Sequence, residues 1–318
     1  MRKLIFKIKK LIKYWLQPKK YYEDIELCGE YSSSLAMLII QRVSEDFIRD
    51  KKIASFSPYS YPSIFKANKC NYKFFYTQEN THVEESKWQL WENCYTWRKA
   101  PTLSLGFDYV EQENAMRFPY WLAAIYGINA TKESVKEKVS QYNHADLSNR
   151  SKICAFVCRY DYFGDRAQIA DLVERVMPIS YPSDFRHNDD DMRGKFKDDK
   201  IAYLQQFRFN LCPENSNNRG YVTEKIFQAI QAGCIPIYWG NEGYPEPDIL
   251  NPKAIVYLDK DQPEEGLALL KKLYEDPKAY EEFASQPRFL PGAAEKIYAY
   301  YERLDAKLKE ILNEGMKE

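Results

Sequence analysis

The clearest pattern of apolar and polar positions lies between residues 207 and 240. Residues 207–211 alternate apolar with polar side chains, which is typical of a short strand. A polar loop follows at 214–220, and apolar residues then recur at helical spacing over 221–233, where a glycine marks the helix end. Residues 234–239 predict a buried strand. Strand, loop, helix and strand together predict a βαβ unit.

The same patterns occur along the rest of the chain and divide it in two. Residues 131–150 are charged and polar without a strong apolar pattern, so we interpret them as the end of a first domain and a linker. The predicted domains are therefore 21–150 and 151–318. Strands are predicted at 24–28, 53–56, 72–76, 103–110, 153–158 and 254–258, and C-terminal helices at 264–285 and 292–314.

Residues 1–20 form a separate basic segment, with eight Lys or Arg and no acid. Its apolar residues fall on one helical face, but no apolar run is long enough to span a membrane or to act as a signal peptide. We interpret 1–20 as a basic amphipathic helix that binds an anionic membrane surface. The alternative is a helix that packs on its own domain. The first interpretation predicts a cytoplasmic protein, peripheral on the inner face of the membrane.

Charge and cysteine usage exclude several classes of protein. The formal net charge is zero, with 46 basic and 46 acidic residues, and the chain after residue 20 carries a net −8. An acidic body of this kind argues against a nucleic-acid binder. Seven cysteines without a Cys-x-x-Cys pair indicate neither a disulfide framework nor a zinc ribbon. The cysteines fit a reducing compartment.

Glu224 and Lys225 stand at the predicted start of the helix in the 207–240 segment. Ligands of open parallel sheets bind beyond the carboxyl ends of the strands, where helix N-termini attract phosphate. A cation there opposes the helix dipole, so Lys225 has a candidate role at a phosphate and Glu224 a role at a ribose. The alternative is an ordinary first-turn acid beside a solvated lysine. No Gly-x-Gly-x-x-Gly or Walker loop occurs.

Three motifs in this segment carry a family resemblance. They are Phe-Asn-Leu-Cys-Pro-Glu-Asn-Ser at 209–216, Gly-Tyr-Val-Thr-Glu-Lys-Ile at 220–226 and Ile-Pro-Ile-Tyr-Trp-Gly at 235–240. Together they resemble the donor-binding signature of the α-1,3-fucosyltransferases, glycosyltransferase family 10, and the bacterial lipopolysaccharide enzymes in particular. Pro213 departs from the family, which usually has an aromatic residue there.

A second informative position follows the predicted strand 72–76. From spacing alone, Thr77-Gln-Glu-Asn80 favours a solvated turn, although a catalytic base would also stand at the carboxyl end of such a strand. The segment resembles the Phe-Tyr-Thr-Gly-Glu-Asn motif of the family, whose Glu is the proposed base. The resemblance therefore implies that Glu79 is the base, with Gln78 in place of the usual Gly.

Arg166 begins another predicted helix, after the strand 153–158 and a polar loop. The resemblance implies that it contacts a diphosphate, and the alternative is a pair with Asp161 or Asp165.

The acidic run 187–191 contains Asp-x-Asp, a metal motif of another transferase fold, but no buried strand precedes it, so an acidic loop is favoured. No metal site is predicted.

The resemblance implies an α/β fold of GT-B type, in which two Rossmann-like domains face each other across a cleft. The first domain would take the acceptor, an oligosaccharide or glycolipid, and the second GDP-fucose. The expected reaction moves L-fucose from GDP-β-L-fucose to a glycan hydroxyl with inversion. The family expectation is an α-1,3 link to N-acetylglucosamine of a lactosamine-type acceptor in surface polysaccharide, giving a Lewis x-type product.

The resemblance also implies a role for each candidate residue. Glu79 would be the base, Arg166 and Lys225 would neutralise the departing diphosphate, and Glu224 would bind the ribose. Tyr221 and Asn215 would hold the nucleotide-sugar. No cofactor is required, although a divalent metal could stimulate the reaction. The alternatives are transfer of another GDP-linked sugar and a non-catalytic glycan-binding protein on the same scaffold.

Overall fold

The computed structural model describes residues 20–23, 25–28, 37–39, 42–43, 51–57, 70–82, 101–148 and 150–314. The predicted membrane-surface helix at 1–20 lies outside these ranges apart from Lys20, which begins a strand, so it stays a prediction. Within the described ranges, no helix is both long enough and apolar enough to cross a membrane. By its contacts the chain divides into two compact units, 1–130 with 299–318 and 131–298.

The first unit is built on a seven-stranded sheet of order β1-β2-β3-β4-β5-β7-β6. Strands β2, β3, β4, β5 and β7 pair in parallel, and β1 and β6 pair antiparallel at the two edges. The strands are β1 (Lys20–Tyr22), β2 (Ile25–Cys28), β3 (Ile53–Phe56), β4 (Tyr72–Tyr76), β5 (Leu103–Gly106), β6 (Glu111–Gln112) and β7 (Ala115–Arg117).

The central strands β3 and β5 are buried at every residue, including Ser55 and Ser104, as expected for parallel strands covered on both faces. A π-helical turn, Leu122–Tyr126, follows β7. Trp121 is fully buried and packs edge-on against Tyr126 and Tyr300. The hydroxyl oxygen of Tyr301 lies 2.7 Å from the carbonyl oxygen of Leu122 and 2.9 Å from that of Gly127, so its single proton is shared between the two acceptors. Trp121 and Tyr126 therefore belong to the core of this unit.

The second unit contains a five-stranded sheet of order β12-β11-β10-β8-β9, in which every pairing is parallel. Its strands are β8 (Lys152–Ala155), β9 (Ile179–Ser180), β10 (Phe207–Leu211), β11 (Ile235–Tyr238) and β12 (Val256–Tyr257). Cys154, Cys158, Cys212 and Cys234 are free and buried around it. The predicted mixed α/β class with parallel sheets is confirmed in both units.

Eight α-helices have both of their bounds in the described part of the chain, and most connect these strands or follow them; residues 37–39 and 42 are also helical. The eight helices are α1 (Lys132–Tyr142), α2 (Asp165–Glu174), α3 (Asp191–Gly194), α4 (Lys200–Leu204), α5 (Glu224–Gln231), α6 (Glu264–Glu275), α7 (Pro277–Ala284) and α8 (Ala293–Glu314). A short 3-10 helix, Pro252–Ala254, precedes β12. The predicted helix 264–285 is two helices, because Pro277 starts α7 with Asp276 as its N-cap.

Helix α1 was not predicted, because Val135 is its one buried residue and no apolar stripe marks it. Its start is instead fixed by a capping box between Thr131 and Ser134. The following residues bind the second unit: Asn143 accepts from the backbone N–H of Phe289, and Arg150 donates to the carbonyl oxygen of Phe207. The units accordingly divide at residue 130, earlier than the predicted boundary at 150.

The second unit also ends earlier than the predicted domain 151–318. Residues 299–318 group with the first unit. Arg42 pairs with Asp305 on α8, with the Nε–Oδ1 distance at 2.7 Å, and Tyr301 donates within the same unit as described above. These contacts explain why residues 299–318 group with the first unit. The predicted acceptor-side and donor-side roles of the domains stay predictions.

Strand order in the second unit creates one topological switch point. From β8 the chain moves outward to β9 on one side, and from β10 it moves outward to β11 and β12 on the other. The connections leaving β8 and β10 therefore diverge at the carboxyl edge of the sheet. In open α/β sheets ligands bind in the crevice at this position. The fold alone thus places a candidate ligand site at the carboxyl ends of β8 and β10.

Candidate functional site

Two helices begin at the switch point, and each carries a cation as its second residue. Helix α2 follows β8 and starts after Gly164, whose φ of +83° is the left-handed conformation that glycine adopts most easily. Helix α5 follows β10 and starts after Thr223. Arg166 and Lys225 are thus placed where two helix N-termini meet the sheet edge. Both positions match the sequence predictions, although α5 starts at Glu224 rather than near residue 221.

The Glu214 carboxylate organises the start of α5. Its side chain is fully buried, with 0 % exposed, and it accepts three hydrogen bonds. The donors are the backbone N–H of Thr223 (2.7 Å), the Thr223 hydroxyl (2.8 Å) and the Lys225 ammonium (2.9 Å). Lys225 also donates to the Thr223 hydroxyl oxygen at 2.8 Å. Lys225 is therefore a tethered, 20 % exposed cation, and the solvated-lysine alternative is wrong.

Electrostatics keep Glu224 and Lys225 charged at neutral pH. Burial opposes ionisation of Glu224, but the nearby Lys225 and Lys200 outweigh it and hold its pKa below the usual range. Burial likewise disfavours the Lys225 ammonium, but Glu214 and Glu224 together raise its pKa above the usual range. An ionised carboxylate can accept hydrogen bonds from a ribose, and an ammonium beside it can donate to a phosphate, so the two groups together suit a nucleotide.

Arg166 connects the two loops of the switch point. Its Nη1 donates to the side-chain oxygen of Asn215 at 3.1 Å, while its Nε is buried without a hydrogen-bond partner. Asp161 lies 3.9 Å from that Nε, but its carboxylate accepts from the N–H groups of Gly164 (3.1 Å) and Ala167 (2.7 Å). Asp161 thus acts mainly as the cap of α2.

The other predicted partner of Arg166 binds elsewhere. Asp165 lies 3.6 Å from the ammonium of Lys260. The Arg166 guanidinium therefore donates to the Asn215 amide and lies 3.9 Å from the Asp161 carboxylate, while its Nε–H group has no hydrogen-bond acceptor. A buried donor without a partner has a cost in free energy, which an anionic ligand at Nε would remove.

A narrow pocket of about 10 Å³ opens between β8 and β10, roughly the volume that one water molecule needs. Its walls come from the strand ends, Phe156 and Val157 on one side and residues 210–213 on the other. Three cations complete it: Arg166, Lys200 and Lys225. Its lining contains no acidic residue. A phosphate is larger than this volume, so a diphosphate would lie at the mouth of the pocket.

The remaining predicted donor residues lie on the loop between β10 and α5. Asn215 is partly exposed and bonded to Arg166, as described above. Tyr221 is 2 % exposed, and its backbone N–H donates to the carbonyl oxygen of Asn218 at 3.0 Å. Gly220 donates its N–H to the Asn241 side chain at 2.7 Å. These hydrogen bonds fix the loop, which brings Asn215 and Lys225 together with Arg166 and places Glu224 beside Lys225.

Glu79 lies in the first unit, immediately beyond the carboxyl end of β4. The Thr77 hydroxyl accepts from the backbone N–H of Glu79 (3.0 Å) and donates to its carbonyl oxygen (2.7 Å). This bonding shapes the turn without a positive φ at Gln78, so the glycine usual in the family is not needed here. Nearby, the His82 Nε2 lies 2.9 Å from the Asp108 carboxylate. Glu79 is partly exposed, and its catalytic role stays a prediction.

The acidic run 187–191 has a structural role. Asp189 and Asp191 bind the ammonium of Lys152 at 3.0 and 2.8 Å. Lys152 is the first residue of β8, so the pair lies at the amino edge of the sheet, opposite the switch point. In the part of the chain that the structure describes, no group of three or more His, Cys, Asp or Glu is arranged to hold a metal.

Gly240 packs closely against the Glu214 side chain. Its φ is +136°, and a Cβ atom there would lie 2.8 Å from Cγ and 2.9 Å from Cβ of Glu214. A Cβ atom added at Gly243, where φ is +143°, would have no heavy atom within 4 Å, so Gly243 is a matched control for the effect of backbone strain alone. We expect Gly240→Ala to lower the free energy of unfolding by about 1–3 kcal/mol more than Gly243→Ala. Denaturant unfolding measures this, and equal losses would contradict the packing contact.

Comparison with known proteins shows what the second unit is similar to. Residues 147–289 match the family described as "Glycosyltransferase family 10 (fucosyltransferase) C-term". The α-(1,3)-fucosyltransferase FucT of Helicobacter pylori is 40 % identical over 177 residues, which cover 54 % of this chain and 36 % of that protein. An α-(1,4)-fucosyltransferase of Arabidopsis thaliana is 33 % identical over 91 residues, 28 % of this chain and 22 % of that protein. The matched region thus spans well under two thirds of either relative.

A crystal structure of a TarM variant of S. aureus, in complex with UDP among other ligands, supports the fold. It matches 88 % of this chain and 59 % of that protein, with a TM-score of 0.51 and 14 % identity. At this identity the likeness concerns the fold alone, and it agrees with the predicted GT-B type. The family match itself concerns residues 147–289, which are similar to the C-terminal domain of the family 10 glycosyltransferases.

Proposed function

We propose that this protein is a fucosyltransferase that uses GDP-β-L-fucose as its donor. The observation that carries the proposal is the convergence of Arg166 and Lys225 at the switch point, around a pocket whose lining has cations and no acid. Such an arrangement suits a diphosphate, and the family 10 match supports GDP-fucose as the nucleotide-sugar. The acceptor is proposed to be a lactosamine-type glycan, fucosylated α-1,3 on N-acetylglucosamine.

Transfer with inversion requires stabilisation of the leaving GDP. As the glycosidic bond breaks, negative charge grows on the β-phosphate, and preorganised cations stabilise it. Arg166 and Lys225 would supply this charge: Lys225 is held by Glu214, and Arg166 has one unsatisfied donor. Glu224 would accept hydrogen bonds from the ribose, with Asn215 and Tyr221 holding the nucleotide-sugar. No metal is required in this scheme.

Glu79 is the proposed base. It would take the proton of the acceptor hydroxyl as that oxygen attacks the anomeric carbon from the face opposite GDP. The transition state resembles an oxocarbenium ion, as in other glycosyl transfers. The position of Glu79 beyond the carboxyl end of a parallel strand is consistent with this role.

Turnover of labelled GDP-fucose with a glycan panel tests the proposal. We expect labelled fucose on N-acetyllactosamine, an α linkage by NMR, and activity that persists in EDTA. GDP-mannose in parallel tests the donor. Turnover of GDP-mannose alone would favour transfer of a different sugar, and glycan binding without any turnover would favour a non-catalytic protein.

A further inference from the structure

Lys200 lines the same pocket as Arg166 and Lys225, although it comes from a different element. It is the first residue of α4, a five-residue helix that precedes β10. Its ammonium donates to the side-chain oxygen of Gln228 on α5 at 2.6 Å. Lys200 is therefore held against the helix that carries Lys225.

The partner of Lys200 differs from those of three other partly buried lysines in the second unit. Partly buried Lys152, Lys225 and Lys260 each have a carboxylate oxygen within 3.0 Å. Lys200 is also only partly exposed, yet it has no carboxylate within 4.0 Å in the described ranges, and its one hydrogen-bond partner is a neutral amide. A partly buried ammonium that forms no ion pair is unfavourable, and a ligand that supplied negative charge would stabilise it.

Surrounding charges agree with an anion site. Burial lowers the pKa of Lys200 from its ordinary value, and Lys225 lowers it further, while Glu224 and Glu214 act in the opposite direction. Glu214 already pairs with Lys225, at 2.9 Å. Three cations therefore line the pocket, the Glu214 carboxylate is bound by one of them, and the buried Nε of Arg166 lacks a hydrogen-bond partner.

We propose that Lys200 is a third phosphate-binding cation, which donates to the diphosphate of a bound nucleoside diphosphate together with Arg166 and Lys225. This inference rests on the proposed function and adds a residue from outside the 207–240 segment. On binding, one ammonium N–H of Lys200 would turn to a phosphate oxygen at the pocket mouth while another keeps the Gln228 contact.

Calorimetry with GDP and with inorganic pyrophosphate tests the proposal on the full chain. We expect Lys200→Met to weaken both ligands about tenfold, as the loss of one charged hydrogen bond does, and Lys200→Arg to keep most of the affinity. Lys195→Met, at an exposed lysine nearby, should leave both dissociation constants unchanged. Unchanged affinities in Lys200→Met would overturn the proposal.

Gln228→Met separates ligand binding from a structural role, because it removes the Gln228 contact and leaves Lys200 in place. We expect it to retain GDP affinity. An equal loss in Gln228→Met and Lys200→Met would show that Lys200 acts only by joining α4 to α5, and would overturn the inference. The proposed function fails separately, if the unmodified protein binds neither GDP nor pyrophosphate.

Discussion

Lys225→Ala is expected to weaken GDP binding at least tenfold and to destabilise the folded protein by about 3 kcal/mol. The affinity falls because the variant lacks an ammonium at the phosphate position. The stability falls because the fully buried Glu214 loses the one cationic partner that it has among the described residues. Calorimetry with GDP and denaturant unfolding measure the two effects.

A paired variant separates these two effects. In Glu214→Gln/Lys225→Met the buried charge is gone, and the Gln oxygen still accepts from the N–H of Thr223. We expect its free energy of unfolding to lie within about 1 kcal/mol of the unmodified protein, while GDP binding stays weak. If the paired variant bound GDP normally, Lys225 would be a structural residue rather than a phosphate ligand.

Glu79→Gln is expected to lower kcat by about 10²–10⁴-fold, which is the usual contribution of a general base. The amide has a similar size and keeps the turn, since Thr77 bonds only the backbone of residue 79. The dissociation constant for GDP should therefore stay unchanged. Steady-state kinetics with GDP-fucose and N-acetyllactosamine, together with calorimetry, measure both quantities.

Glu113→Gln is the control for Glu79→Gln, because Glu113 is an exposed carboxylate in the turn between β6 and β7. It should keep full activity. Activity of Glu79→Gln within about twofold of the unmodified protein would remove Glu79 from the mechanism, whatever the outcome at Lys225.

Some parts of the fold are predictable from local pattern because burial determines that pattern. Strands β3, β4 and β10 have the predicted bounds, since each is a short apolar or alternating run between turn residues. Helix α1 has one buried residue, so its apolar pattern is weak and only its cap marks it. The two-residue strand β9 is defined by its pairing with β8, which no local pattern contains.

Some residues of the candidate site are likewise evident from the local sequence, and others are not. Lys225 stands out in the sequence because a cation in a first helical turn conflicts with the helix dipole. Glu214 and Lys200 do not stand out, because their roles depend on contacts across 9, 11 and 28 residues along the chain. A glutamate after Pro213 resembles any loop acid until its burial is known. Sequence spacing thus finds residues that break a local rule and misses residues defined by distant partners.

A crystal structure of the protein with GDP tests the central claim most directly. We expect the diphosphate at the carboxyl ends of β8 and β10, with phosphate oxygens within hydrogen-bond distance of Arg166 and Lys225. A nucleotide bound away from this sheet edge, with both side chains still in their ligand-free contacts, would contradict the account.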